Sequence, residues 1–275
     1  MKEMDYIRKY VTNLKDLIQY KNLIQEFTKR DFLQRYKGSY LGIIWALISP
    51  LVMLAVYSFI FIIVFQNKWG EVGVDSDATY TLMIFSGLVP FYIFSETINR
   101  SLGVVVGNPN YVKKVVIPVE ILPISVTLST IINQLFGLGL LVLGKIIFID
   151  TNHRTLLLVP LILLPIVVVS LGCSFIFSAL GVYIRDMAHA VALILNILFY
   201  MSPIFYPSTQ VPEQFKFVMK FNPLAPIIDM WRDVIIKGIP FDGTMYFQYM
   251  CGATVFLIFG LGVFYYLRKG FADVI

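Results

Sequence analysis

The chain has 275 residues, 58% of them hydrophobic and 14% charged, with a formal net charge of +5. An ordinary soluble domain is roughly 45–50% apolar and about 25% charged, so these proportions exclude a soluble enzyme or a nucleic-acid binder and place the chain in a bilayer. Its two cysteines, Cys173 and Cys251, lie in apolar runs far apart and without partners at metal-ligand spacing; they read as packing residues, and no disulfide or metal site is expected.

A hydrocarbon core about 30 Å thick takes about 20 apolar residues per helix, because each residue rises about 1.5 Å and no backbone group can stay unpaired in lipid. Before the first such run comes a basic segment, residues 1–39, with nine Lys and Arg and no compact apolar core of a cleavable signal. Within it Ile7, Tyr10, Val11, Leu14, Leu17 and Ile18 recur at helical spacing, with Arg8, Lys9, Lys15 and Asp16 off that stripe, which predicts a helix lying along the membrane surface. At Gly38 the chain turns abruptly apolar. Six spans are predicted, at about 40–65, 80–106, 119–148, 156–183, 188–206 and 246–267, with Pro50 tolerated inside the first. The fold class is therefore an all-α membrane protein, divided into a cytoplasmic amphipathic segment, 1–39, and a transmembrane domain, 40–275.

Orientation follows from the cations, which resist translocation more than acids do. With six spans both termini share a side; that side holds fifteen Lys and Arg against seven on the other (Lys68, Lys145, Arg154, Lys216, Lys220, Arg232 and Lys237). Both ends are expected in the cytoplasm, and the basic segment suits the anionic inner leaflet. Between the fifth and sixth spans, residues 207–242 mix apolar runs with Pro212, Pro223, Pro226 and Pro240. Two short re-entrant helices, entering the outer leaflet partway, fit this stretch best.

Signatures of catalysis are missing: the sequence has no Walker A loop, dinucleotide fingerprint, nucleophile elbow or zinc-protease helix, so the chain cannot hydrolyse ATP alone. The pair Asp75 and Asp77 beside Glu71 reads as a solvated outer loop, and His153 has no second histidine near it. Glu96 and Arg100, one helical turn apart near the inner end of the second span, are expected to form an intramembrane ion pair. Asn133 and Gln134 suit hydrogen bonds between helices. Sparse polar residues elsewhere argue against an ion-coupled carrier, and a membrane enzyme acting on polyprenyl phosphate would need carboxylates or a histidine that only the outer loop offers. Aromatic rings in the first and fifth spans, among them Tyr57, Phe61, Phe199 and Tyr200, offer flat faces to sugars as well as ordinary packing.

Five stretches, RYKGSYLGIIWALISPLVMLAVYSFIF (35–61), NPNYVKKVVIPVEILP (108–123), RDMAHAV (185–191), SPIFYP (202–207) and FNPLAPIIDMWRD (221–233), together resemble the membrane subunit of ABC-2 type polysaccharide exporters, which move O-antigen, capsule and teichoic-acid chains. The resemblance implies a homodimeric permease of the bacterial inner membrane, resting on two copies of a cytoplasmic ABC ATPase. No cofactor belongs to this chain; ATP and magnesium sit on the partner subunit. It further implies that Lys29, Arg30, Arg35 and Lys37 hold the diphosphate of a polyprenyl-linked glycan, with anchoring to the inner leaflet as their rival role. Tyr57, Phe61, Phe199 and Tyr200 would line the glycan channel, and Asn108, Tyr111, Lys113, Lys114, Arg185 and Asp186 would receive the ATPase stroke. An ABC-2 exporter of a small lipid or drug shares the fold and is the alternative cargo class.

Overall fold

A computed structural model describes residues 19–64, 77–113, 117–149 and 151–275. The surface stripe expected over residues 6–18, the outer loop through Asp75, and Lys114 lie outside these. All regular structure among the described residues is helical.

The changeover at Gly38 is an elbow. A basic helix, Lys21–Gln34, is followed by a turn in which Gly38 and Gly42 take left-handed φ values of 85° and 55°. A side chain in that region costs roughly 1–2 kcal/mol per residue, which is why the turn is built on two glycines. The first long helix then runs over Gly42–Val64, opening with a 3₁₀ turn and closing with a π turn around the α-helical Trp45–Ser58. It packs least on the rest of the chain, with Ala46 the one buried residue of its α-helical part.

Four further helices are long and apolar enough to cross a membrane: Asp77–Val104, Ile121–Phe148, His153–Tyr183 and Gly243–Arg268. The second long helix, Asp77–Val104, forms the axis of the bundle, with Leu88, Val89, Ile93 and Thr97 at 2% exposure or less. Its contact with the fourth is backbone to backbone: a Cβ on Gly181 would lie 2.1 Å from the Leu102 carbonyl oxygen. The fourth and last helices approach in the same way, since a Cβ on Gly260 would lie 2.5 Å from the Gly172 carbonyl. Small residues serve lipid-embedded helices here because hydrocarbon supplies no hydrophobic drive between them, leaving close dispersion contact and hydrogen bonds to hold the bundle. Ser101 and Ser174 add one such bond at 2.7 Å, and Ser174 donates to the Pro123 carbonyl at 3.0 Å.

The stretch expected to be the fifth span, 188–206, is helical over Met187–Met201 alone. Fifteen residues at about 1.5 Å each reach roughly 22 Å, less than the hydrocarbon core of about 30 Å. The cause is Pro203, which has no N–H and forces the preceding Ser202 into extended backbone, φ −86° and ψ 146°. Beyond it come the short helices Lys216–Phe221 and Ala225–Trp231, the latter running into a π turn, Arg232–Lys237, stopped by left-handed Gly238. This second piece is core: Ile227, Ile228, Trp231, Val234 and Ile235 are wholly buried, and the Trp231 indole donates to the Ile162 carbonyl at 3.2 Å.

Candidate functional site

The basic helix lies against the second and third long helices, with Phe32 stacked on Phe136 at 6.4 Å between ring centroids. That face carries an acid and a base one turn apart, Asp31 and Arg35, opposite the Glu96 and Arg100 of the second helix. The two sets pair crosswise: Arg35 bonds Glu96, and Arg100 bonds Asp31 at 2.9 Å. Glu96 and Arg100 thus each take a partner from the basic helix, where their one-turn spacing had suggested a pair with each other. A cross-helix pair fixes two elements, whereas a pair within one helix fixes neither, and a guanidinium whose side chain is only 10% exposed needs a close counter-charge. Arg35 also donates to Thr130 at 2.9 Å and to Ser129 at 3.3 Å, Gln134 donates to Glu96 at 3.1 Å, and the Tyr36 hydroxyl bonds Asn133. Burial, with the charge of Arg100 beside it, lowers the Arg35 pKa to about 10, so the side chain is charged at neutral pH.

The four cations expected to hold a diphosphate therefore divide. Arg35 is committed to this network, and Lys29 is exposed. Arg30 and Lys37 line one open pocket of about 640 Å³, together with Gln34, Tyr36, Gly42, Ile43 and Asn108. Arg30 is held there by a 2.9 Å bond to the Tyr111 hydroxyl and by the Phe27 ring, 4.4 Å from its guanidinium carbon. Tyr111 belongs to a short helix, Pro109–Lys113, that follows the second long helix, and Asn108 caps that long helix through the Val104 carbonyl at 2.8 Å. The basic pocket and the segment expected to meet an ATPase are thus one structure.

Lys113 is exposed, as are Arg185 and Asp186 in the turn before Met187–Met201. The C-terminal residues pack beneath Pro109–Lys113: Phe271 is wholly buried, and Ile275 joins the apolar cluster that takes in Tyr111 and Val112. Of the expected glycan-facing rings, Tyr57 packs on Phe205 at 5.4 Å, while Phe199 meets Phe91 at 4.9 Å, Tyr200 at 5.2 Å and Phe205 at 5.3 Å. Tyr57, Phe199 and Tyr200 therefore belong to one chain of rings, in which Tyr200 is 70% exposed. The Phe61 side chain lies outside the described residues.

Three buried charges have a role that sequence reasoning missed. Arg232 and Lys145, counted above among outer-face cations, are 2% and 0% exposed. Arg232 donates to the Ile204 carbonyl at 2.7 Å and to the Met83 carbonyl at 3.4 Å, tying the buried π turn to the second long helix and to the break after Pro203. Lys145 donates to the Asn152 carbonyl at 3.0 Å. At the opposite end, Glu120 is 2% exposed and bonds Arg268. Proline and turn residues in these segments hint at freed carbonyls, but their donors lie up to 149 positions away.

Five apolar helices of spanning length among the described residues define a multi-pass membrane protein. Residues 22–236 match the ABC-2 type transporter family, and the chain belongs to it. It is 29% identical over 259 residues to an O-antigen export system permease protein RfbA of Klebsiella pneumoniae, covering 92% of this chain and 95% of that one. A second RfbA, from Myxococcus xanthus, is 22% identical over 264 residues, covering 95% and 98%. The polysialic acid transport protein KpsM of Escherichia coli is 25% identical over 242 residues, covering 86% and 89%.

Proposed function

We propose that this chain is the permease subunit of an ATP-driven exporter that carries a polyprenyl-diphosphate-linked polysaccharide from the cytoplasm across the inner membrane. The relatives' names support a polysaccharide cargo, since two are O-antigen export permeases and another transports polysialic acid. The observation that carries the reading is the pocket in which Arg30 and Lys37 stand beside Gly42 and Ile43, where the first long helix begins. Two cations there match a diphosphate arriving sideways from the inner leaflet, which they would hold by charge-assisted hydrogen bonds.

In this reading the chain makes six crossings, with Met187–Met201 as the fifth, and both termini are cytoplasmic. Two copies stand side by side, each on an ABC ATPase that binds ATP and magnesium. The exposed apolar side chains of the first helix, Leu51, Val52, Val56 and Phe59 among them, face lipid or the second copy. Tyr57, Phe61, Phe199 and Tyr200 offer stacking faces to the glycan. Asn108, Tyr111, Lys113 and Lys114, with Arg185 and Asp186, receive the ATPase stroke. The short helices between 207 and 242 close the outer end. Nucleotide and glycolipid act only by favouring one conformer over another.

Permease and ATPase reconstituted with lipid-linked glycan test this reading. Arg30→Glu with Lys37→Glu is expected to lower export and glycolipid-stimulated ATP turnover by roughly tenfold or more, since each lost charge-assisted bond weakens binding by about 1.5–3 kcal/mol. Lys21→Glu, a similar charge change on an exposed site of the same helix, retains both activities. Wild-type export by the double variant would remove the diphosphate role. Export of a small lipid but no glycan would instead support the other cargo class.

A further inference from the structure

A very short helix cannot hold its own shape, because nucleating one turn costs more than its few hydrogen bonds return, and isolated helices below about 12–15 residues are marginal in water. Pro109–Lys113 has five residues and Phe271–Val274 has four, so each persists only through what it packs on. They pack on each other. Phe271 is wholly buried, and Tyr111, Val112 and Ile275 close on the same apolar cluster. Pro109–Lys113 is held from the basic helix as well, through the Arg30 bond to Tyr111 and the Phe27 ring, whose centroid lies 5.0 Å from that of Tyr111.

The same C-terminal stretch reaches both connections assigned to the ATPase. Toward the first, Arg268 bonds Glu120, the residue that precedes the third long helix. That carboxylate is 2% exposed, and a buried acid stripped of its cation is strongly destabilising. Toward the second, the Tyr183 hydroxyl donates to the Leu267 carbonyl at 2.6 Å, and its ring lies 6.1 Å from that of Phe271. Tyr183 ends the fourth long helix, just before Arg185 and Asp186. Gly270 makes room for this contact, since a Cβ there would lie 2.5 Å from the Tyr183 hydroxyl oxygen.

We infer that residues 267–275 are a common seat for the two connections, in which Tyr183 and Arg268 are positioning residues that make Pro109–Lys113 and the turn at 184–186 move as one body with the last long helix. The inference rests on the reading that these connections receive the ATPase stroke. A stroke at either of them is delivered into the last helix as well as into the helix it adjoins. Without the seat, ATP is hydrolysed while the last helix stays where it is.

Two measurements on the permease with its ATPase test the seat. In the first, the triple variant Tyr183→Phe, Glu120→Gln, Arg268→Gln removes the hydroxyl bond and both members of the ion pair without leaving a stranded charge. With lipid-linked glycan it is expected to lower the glycan exported per ATP hydrolysed by about fivefold or more, the lower end of typical coupling between sites. A purely structural defect reduces the number of working complexes and lowers export and turnover together, which leaves that ratio unchanged. Arg268→Lys alone, which keeps a cation for Glu120, retains the wild-type ratio. In the second measurement, spin labels are placed on Asn110→Cys and Ala272→Cys, both exposed positions, with the exposed native thiol removed by Cys251→Ser. The expected spectrum shows dipolar broadening of the same width without nucleotide and with trapped ATP. An unchanged export ratio in the triple variant overturns the transmission of the stroke, and broadening that is absent, or lost with ATP, overturns the seat. If wild type moves no lipid-linked glycan, the cargo reading fails and the spin labels alone decide; they also decide if the triple variant does not assemble.

Discussion

Arg35→Met lowers the unfolding free energy of the chain by roughly 2–4 kcal/mol, an expected loss set by the carboxylate it strands. A fully buried partner left alone costs about 3–5 kcal/mol, and Glu96 keeps a 26% exposed side chain, which moderates the effect. The substitution also removes the donors to Ser129 and Thr130 and loosens the basic helix on the second and third long helices, where Asp31, Phe32 and Tyr36 still hold it. Thermal unfolding in lipid nanodiscs measures it. Adding Glu96→Gln should restore more than half of the loss, because the uncompensated charge rather than the missing contact dominates. An unchanged melting point for Arg35→Met, or no recovery in the double variant, contradicts the crosswise pairing.

The other large effect is steric. Gly181→Val places a Cβ at 2.1 Å from the Leu102 carbonyl oxygen, and a helix backbone cannot yield as the tip of a flexible side chain does. Overpacking typically costs about 1–3 kcal/mol and more where backbone must move. The contact joins the central helix to the fourth, so the expected outcome is a chain that no longer accumulates in folded form. Gly139→Ala, where a Cβ meets nothing within 4 Å, accumulates as wild type. Gel filtration of the detergent-extracted protein separates the two results; equal monodisperse yields of Gly181→Val and wild type would refute the backbone contact.

The long helices are legible in the sequence because lipid imposes one requirement on each, a run of apolar residues long enough to cross. The predicted ranges 119–148 and 246–267 fall within two or three residues of Ile121–Phe148 and Gly243–Arg268. The stretch 188–206 is helical only over Met187–Met201, since its composition suits a longer helix but Pro203 ends it early. Less legible is the pairing of charges. Spacing reveals that Glu96 and Arg100 share a face, yet nothing local reveals that Asp31 and Arg35 lie opposite them. Arg232 and Lys145 look like solvated outer cations because carbonyl oxygens, their actual partners, are alike at every residue and leave no mark in the sequence. Gly172 and Gly260 are visible as residues, but not as each other's neighbours.

The two left-handed glycines after the basic helix have a mechanical consequence. Upstream of Gly38 the chain is riveted by ionic and hydroxyl bonds to the second and third long helices; downstream of Gly42 it touches the same helices more lightly, through contacts such as Ser58 with Thr81 at 3.0 Å. A load applied at the end that carries the basic helix is therefore borne by the riveted block, while the leading helix is connected to it by a short turn with a left-handed glycine at each end. Among the described residues that helix is the least buried of the five long ones, which makes the glycine turn its natural pivot.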